Sequence, residues 1–249
     1  MKRIRQLHTA AGRRQQQALL LEGTHQLQEA LGVQWPLTQV CCSPDWIARH
    51  PHLWAILDTQ AIPTRIVGDG VLAALATTVS PDGVVAVAAY PEPRPAALHS
   101  LGVLAEQVQD PGNLGTLIRT CAAVGVDALL LSSGSVDWAN PKVLRAAAGQ
   151  ALRVPIHPIL DPIGYLGTLR PAGFQVIATV PTATTPYWAI DWTQPSLLVL
   201  GNEGAGLSEA LLACADLHTQ VPLQPGVESL NVAIVAAIIL YEAKRQRAL

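Results

Sequence analysis

Short apolar runs alternate with segments of helical period from one end of the chain to the other, a pattern that predicts an α/β architecture. In the first half, Ala18–Leu21, Thr38–Cys42, Thr64–Val67 and Val84–Ala89 read as strands. Between them lie a helix over Thr24–Leu31, a helical stretch opened by Pro44 and reaching to near Leu57, and a helix over Gly70–Ala76 capped by Asp69. Tyr90-Pro-Glu-Pro-Arg-Pro95 then interrupts the alternation. Prolines at every second position hold the backbone extended, so residues 91–96 read as a semi-rigid linker between two domains.

In the second half, the strand Gly102–Val108, the loop Asp110–Asn113, the helix Leu114–Val124 and the strand Ala128–Leu131 follow one another through short connections, as a parallel sheet requires. Asn140-Pro141 places a capping side chain ahead of a proline at the first helical position, and this helix reads on to about Leu152. A helix over Ile163–Leu169, a strand over Gln175–Thr179 and an irregular connection over 182–193 lead to the strand Leu197–Leu200. A loop holding Gly201, Gly204 and Gly206 comes next, then a helical run Leu207–Ala213. A short strand ends at Val221-Pro222-Leu223, and Ser229 stands where it caps a long helix beginning near Leu230. The reading is a small α/β domain over 1–90 followed by a larger, mostly parallel domain over 97–249.

Composition narrows the class. Half of the 249 residues are hydrophobic and only 4% are aromatic, so the core is aliphatic. Cys41, Cys42, Cys121 and Cys214 form no CxxC pair, the histidines are scattered, and no zinc spacing results. Without a signal-peptide pattern, reduced thiols in the cytoplasm are the natural expectation. The longest apolar run, Val232–Leu240, is too short to span a bilayer.

A net charge of −2 does not mark a nucleic-acid binder, but Lys2, Arg3, Arg5, Arg13 and Arg14 all precede the first acid, Glu22. They form either an arm for phosphates or the solvated face of an N-terminal helix. Lys142 and Arg145, one turn apart, offer the same two readings. Lys244, Arg245 and Arg247 sit where a helix C-terminus favours cations for structural reasons.

The chemistry gathers late in the chain. Two strand ends and two helix starts, around Gly201–Gly206 and Val221–Leu230, offer backbone groups to one small ligand. The glycine order there is G-x-x-G-x-G, not the dinucleotide fingerprint G-x-G-x-x-G, which argues against a nicotinamide dehydrogenase. Arg119 lies in an otherwise apolar helix and needs an anionic partner, a phosphate or a carboxylate such as Glu203.

Three ordered segments carry a family resemblance: Asn113-Leu-Gly115 with Arg119, Gly201-Asn-Glu203 with Gly206, and Val221-Pro222 followed by Ser229-Leu-Asn-Val232. Together they resemble the SpoU (TrmH-like) family of RNA 2′-O-ribose methyltransferases. The resemblance implies a deep trefoil knot in the C-terminal sheet and an N-terminal domain that grips RNA. It also implies a homodimer with the long C-terminal helix near the interface. S-adenosylmethionine is then the methyl donor, held by Leu200, Gly201, Gly206, Val221, Leu223 and Leu230. The acceptor is a ribose 2′-hydroxyl in structured RNA, and the two-domain layout points to rRNA.

Arg119, Asn113, Glu203, Ser229 and Asn231 take the catalytic positions in that resemblance. A guanidinium stays protonated, so Arg119 suits phosphate anchoring and stabilisation of a developing alkoxide better than proton abstraction. Ala233 stands where many relatives carry a second serine. The chemistry calls for no metal. Two alternatives share the fold: a tRNA-directed methyltransferase, and a non-catalytic RNA-binding or ribosome-assembly protein.

Overall fold

The computed structural model describes residues 1–92 and 96–248. Pro93, Arg94 and Pro95, the middle of the expected linker, lie outside the described residues, as does Leu249. The chain divides into two compact units, one of residues 1–94 with 137–153, the other of 95–136 with 154–249.

The first unit opens with the helices α1 (Lys2–Gln6) and α2 (Ala10–Gln16). A four-stranded sheet follows, built from β1 (Ala18–Glu22), β2 (Leu37–Cys42), β3 (Thr64–Ile66) and β4 (Val84–Ala89) in the order β1-β4-β2-β3. β4 runs antiparallel to both β1 and β2, and β3 joins β2 in parallel. The helices α3 (Thr24–Gly32), α4 (Pro44–Arg49), α5 (Pro51–Thr59) and α6 (Asp69–Leu75) connect the strands. Ile4, Leu7, Leu20, Cys41, Leu72, Leu75 and Val85 pack one side of the sheet into an aliphatic core.

Two local expectations change. The stretch opened by Pro44 is two helices, because His50 precedes Pro51 and leaves the helical region, with φ −129° and ψ 53°. Asp69 is the first residue of α6 rather than its cap, a place taken by Gly68.

The second unit contains β5 (Leu101–Ala105), α7 (Pro111–Val124) and β6 (Ala128–Ser132). The chain then supplies α8 (Pro141–Ala146) to the first unit before it returns. β7 (Ile156–Ile159), α9 (Pro162–Leu169), β8 (Gln175–Thr179), β9 (Ser196–Leu200), α10 (Glu209–Cys214), β10 (Leu217–Thr219) and α11 (Val232–Arg247) complete the second unit. Its six strands form one sheet in the order β10-β8-β9-β5-β6-β7, every pair parallel. All residues of β5, β6 and β9 are buried, which is why their sequences read as unbroken apolar runs.

α8 is a correction to the sequence-based boundary, which leaves 137–153 in the larger domain. This segment packs with the first unit, and its ion pairs show why. Arg13 meets Asp137 at 2.5 Å, Arg145 meets Glu22 at 3.0 Å and Arg153 meets Glu29 at 2.8 Å. Arg13, buried and also donating to the Leu7 carbonyl at 2.9 Å, is therefore no part of a phosphate-binding arm. Arg145 is likewise held by Glu22 and does not pair with Lys142 as a free basic face. The helix stops at Ala146, well before Leu152, because Ala148 and Gly149 take left-handed φ values of 48° and 76°.

α11 packs along α7. Its terminal cations act structurally, as expected: Lys244 donates to the Ala123 carbonyl near the end of α7, Arg245 pairs with Glu242, and Arg247 donates to Ser100 and to the Gln194 carbonyl. Among the described residues no helix is long and apolar enough to cross a membrane.

Candidate active site

In a parallel sheet all carboxyl ends of the strands share one edge. The chain leaves β5 toward β6 on one side and leaves β9 toward β10 on the other, so the crevice between neighbouring β5 and β9 is a switch point. A cavity of about 480 Å³ opens at this edge. Thr179–Pro181 after β8, Gly201–Gly206 after β9, Thr219–Val221 and Leu223 after β10, Asn113 of α7 and the stretch 228–232 supply its walls.

The glycine loop is shaped by backbone packing. Asn202 and Gly206 exchange hydrogen bonds of 2.9 and 3.0 Å, closing the loop on itself. A side chain at Gly201 would meet the Gly206 oxygen and the Leu207 nitrogen at 2.6 Å, so only glycine fits. Gly206 has open space around it but takes φ 71°, a left-handed conformation that favours glycine. The Asn202 side chain organises both directions. Its Oδ1 accepts from the Gly204 and Ala205 N–H groups at 2.9 Å each, and its Nδ2 donates to the Gln107 carbonyl at 2.8 Å.

Three predicted site residues form a hydrogen-bonded chain across the cavity wall. Asn231 Nδ2 donates to Asn113 Oδ1 at 2.7 Å, and Asn113 Nδ2 donates to Glu203 Oε1 at 3.0 Å. Asn113 sits in the first turn of α7, because that helix starts at Pro111 behind the Asp110 cap, earlier than the expected Leu114. Asn231 caps α11, its Oδ1 accepting from Ala233 and Ile234. It holds the place expected of Ser229. The Ser229 side chain makes no hydrogen bond among the described residues, and Ser229 lines the cavity. Burial pushes the Glu203 carboxyl up, but hydrogen bonds from Asn113, its own backbone and the Gln109 and Asp110 amides outweigh it. The carboxyl is held below its ordinary range and is anionic at neutral pH.

Two expected residues fall elsewhere. Leu200 is fully buried in β9 and its carbonyl accepts from Glu106, so it supports the loop from beneath and presents no surface to a ligand. Arg119 lies on the exposed side of α7, outside the cavity walls, and makes no ion pair or hydrogen bond among the described residues. Its expected partner, Glu203, is committed to Asn113 and the 109–110 amides. Val221, Leu223 and Leu230 do line the cavity, although β10 ends at Thr219 and places the first two in a loop. Their backbone N–H groups bond to nothing among the described residues.

Asn202, Gln107, Thr179, Pro181 and Glu228 were missed by the sequence reading. For Thr179 a signal existed: it ends a predicted strand, and in a parallel sheet every strand end reaches the same edge. Gln107 gave none, since its φ of 50° is visible only in the structure.

A cavity at the carboxyl edge of a parallel sheet, walled by a glycine loop and by amides that make no bond among the described residues, defines an α/β protein with a small-ligand site. The chain belongs to the SpoU rRNA methylase family, whose model matches residues 100–241, and an MRM3-like substrate-binding domain model matches residues 1–86. It is 43% identical to an uncharacterized tRNA/rRNA methyltransferase of Synechocystis sp., over 99% of this chain and 91% of that one. It is 35% identical to the Bacillus subtilis 23S rRNA (guanosine(2553)-2′-O)-methyltransferase RlmP, over 96% and 94%. The SpoU methyltransferase AviRb from Streptomyces viridochromogenes, solved in complex with AdoMet, superposes with TM-score 0.86 at 27% identity, covering 99% of this chain and 98% of that one.

Proposed function

We propose that the protein transfers a methyl group from S-adenosylmethionine to a ribose 2′-hydroxyl in structured RNA, with rRNA as the substrate class. Family membership supports this reading, and the cavity beside Gly201–Gly206 carries it. Its walls suit an adenosine-bearing ligand: Val221, Leu223 and Leu230 give apolar surface, and their unbonded amides give donors for ring nitrogens or hydroxyls. When bound, the cofactor supplies an electrophilic methyl on a sulfonium sulfur.

The chain's own residues orient and charge the site. Asn113 and Asn231 fix the loops against each other, and Glu203 locks the Asn113 amide. The Ser229 hydroxyl makes no hydrogen bond among the described residues and can bond the ribose. Arg119, on α7 and without a partner among the described residues, anchors an RNA phosphate. The deep knot is part of the proposal, supported by the family and by the parallel order β10-β8-β9-β5. So is a homodimer, supported by Ile234 and Tyr241, exposed seven residues apart on one face of α11. A reducing compartment, the cytoplasm, accords with four free cysteines, three of them buried.

Calorimetric titration with S-adenosylmethionine and NAD tests the cofactor site. Saturable binding of the sulfur compound alone, lost in Leu230→Asp, is expected. Absence of that binding, with bulk rRNA present as well, leaves an RNA-binding protein on the same fold.

A further inference from the structure

The first unit holds a second cavity, of about 240 Å³, half the volume of the one described above. It opens between the start of α3 and the loop 76–82, and α8 closes it with Arg145. Its floor is a buried carboxylate. Glu22, its side chain 3% exposed, accepts from the Thr77 hydroxyl at 2.6 Å and the Thr78 amide at 3.2 Å, and forms an ion pair with Arg145 Nη1 at 3.0 Å. Arg145 Nη1 also donates to the Thr77 hydroxyl at 2.6 Å. Everything that holds the guanidinium therefore acts on one nitrogen. Nε and Nη2 make no bond among the described residues, and neither is sealed from solvent. Arg145 lines the cavity, and a guanidinium fixed at one corner keeps donors for an acceptor pair.

The other walls say which kind. Asp82 caps α3, its Oδ2 accepting from the Thr24 amide at 2.6 Å, and faces the same space. His25 and Ser80 line the cavity with side chains that make no hydrogen bond among the described residues. Both carboxylates already have a cation, Glu22 in Arg145 and Asp82 in Arg49 at 3.9 Å, so the set carries no surplus positive charge to draw a free phosphate. A neutral ring carrying both acceptors and donors satisfies the whole set. Guanine presents adjacent acceptors, O6 and N7, to an arginine and donors on its other edge to a carboxylate. Val79, 98% exposed at the tip of the bordering loop, is an aliphatic side chain with no protein surface to cover and suits contact with a ribose or a base face.

We propose that this cavity binds an unstacked guanine of the RNA, read by Arg145 and Asp82, apart from the residue that is methylated. The inference rests on the RNA-directed reading above and adds a base-specific contact on the first unit.

The test is fluorescence anisotropy on the full-length protein with labelled UUGUU, UUAUU and UUGUU carrying 7-deazaguanine. A preference of roughly tenfold for guanine over adenine is expected, of the size one bidentate arginine contact gives. Removal of N7 should shrink it without any change to the protein. Arg145→Lys keeps a cation for Glu22 and should abolish the preference while leaving the salt dependence of binding unchanged. Equal binding of the three oligonucleotides, or no binding of any, overturns the proposal. So does a lysine variant that binds all three more weakly with a reduced salt slope, or displacement by inorganic phosphate of all three alike, since either marks a phosphate contact. A parallel S-adenosylmethionine titration separates the two readings: cofactor binding without guanine preference sinks only this inference, and guanine preference without cofactor binding sinks only the enzyme.

Discussion

Asn231 does two jobs with one amide, and its two atoms can be separated. Oδ1 caps α11, while Nδ2 holds Asn113. Asn231→Asp keeps the cap and loses the donor, so it should fold with near-native stability and bind S-adenosylmethionine more weakly. Asn231→Ala loses both and should also cost about 1 kcal/mol in urea unfolding, the usual value of a helix cap. Glu203 gives a pH dependence with a definite sign. Its folded pKa lies below the ordinary 4.5, so its contribution to stability is complete above that value and disappears as pH falls through the lower folded value. The difference in thermal midpoint between the wild type and Glu203→Gln should accordingly be constant at neutral pH and close in acid. A difference that persists unchanged into acid would show that the carboxylate charge plays no part.

At this scale the sequence was a partial guide. Asn113, Glu203 and Asn231 stand out in the sequence because the motifs carry them, and all three line the cavity. The cap of α11 was not, since Ser229 and Asn231 are both strong capping types two positions apart and only the backbone path selects between them. Arg119 was legible as an arginine in need of a partner, but not as one left unpaired by the protein itself.

Among elements, the glycine loop makes the sharpest distinction. Gly201→Ala drives a methyl group into the backbone of Gly206 and Leu207, which cannot give way without opening the loop. Gly206→Ala meets no atoms and costs only a left-handed alanine, on the order of 1 kcal/mol. Calorimetry should therefore find cofactor binding lost in the first and weakened in the second. For α11, Ile234→Asp with Tyr241→Asp should turn a dimer into a monomer in light scattering; a wild-type monomer would remove the dimer from the account. The strands of the parallel sheet were readable because burial on both faces leaves unbroken apolar runs. Val221–Leu223 misled for the same reason. The run is apolar, but Pro222 has no N–H for a ladder, and the strand ends at Thr219.

For the whole molecule, the α/β class and the division into a small first unit and a larger parallel one followed from periodicity and the proline run. The excursion of 137–153 did not. Its partners, Arg13, Glu22 and Glu29, lie more than a hundred residues away in sequence, and nothing local marks a helix as belonging to the other unit. What the large cavity does is read from its product. The protein is incubated with unmodified rRNA and methyl-labelled S-adenosylmethionine, and the labelled RNA is hydrolysed in alkali. A 2′-O-methyl blocks cleavage at its own phosphodiester, so label is expected in alkali-resistant dinucleotides, sharply reduced in Arg119→Ala. Label released entirely in mononucleotides would mean that a base, and not the ribose, is methylated, and would overturn the 2′-hydroxyl as the acceptor.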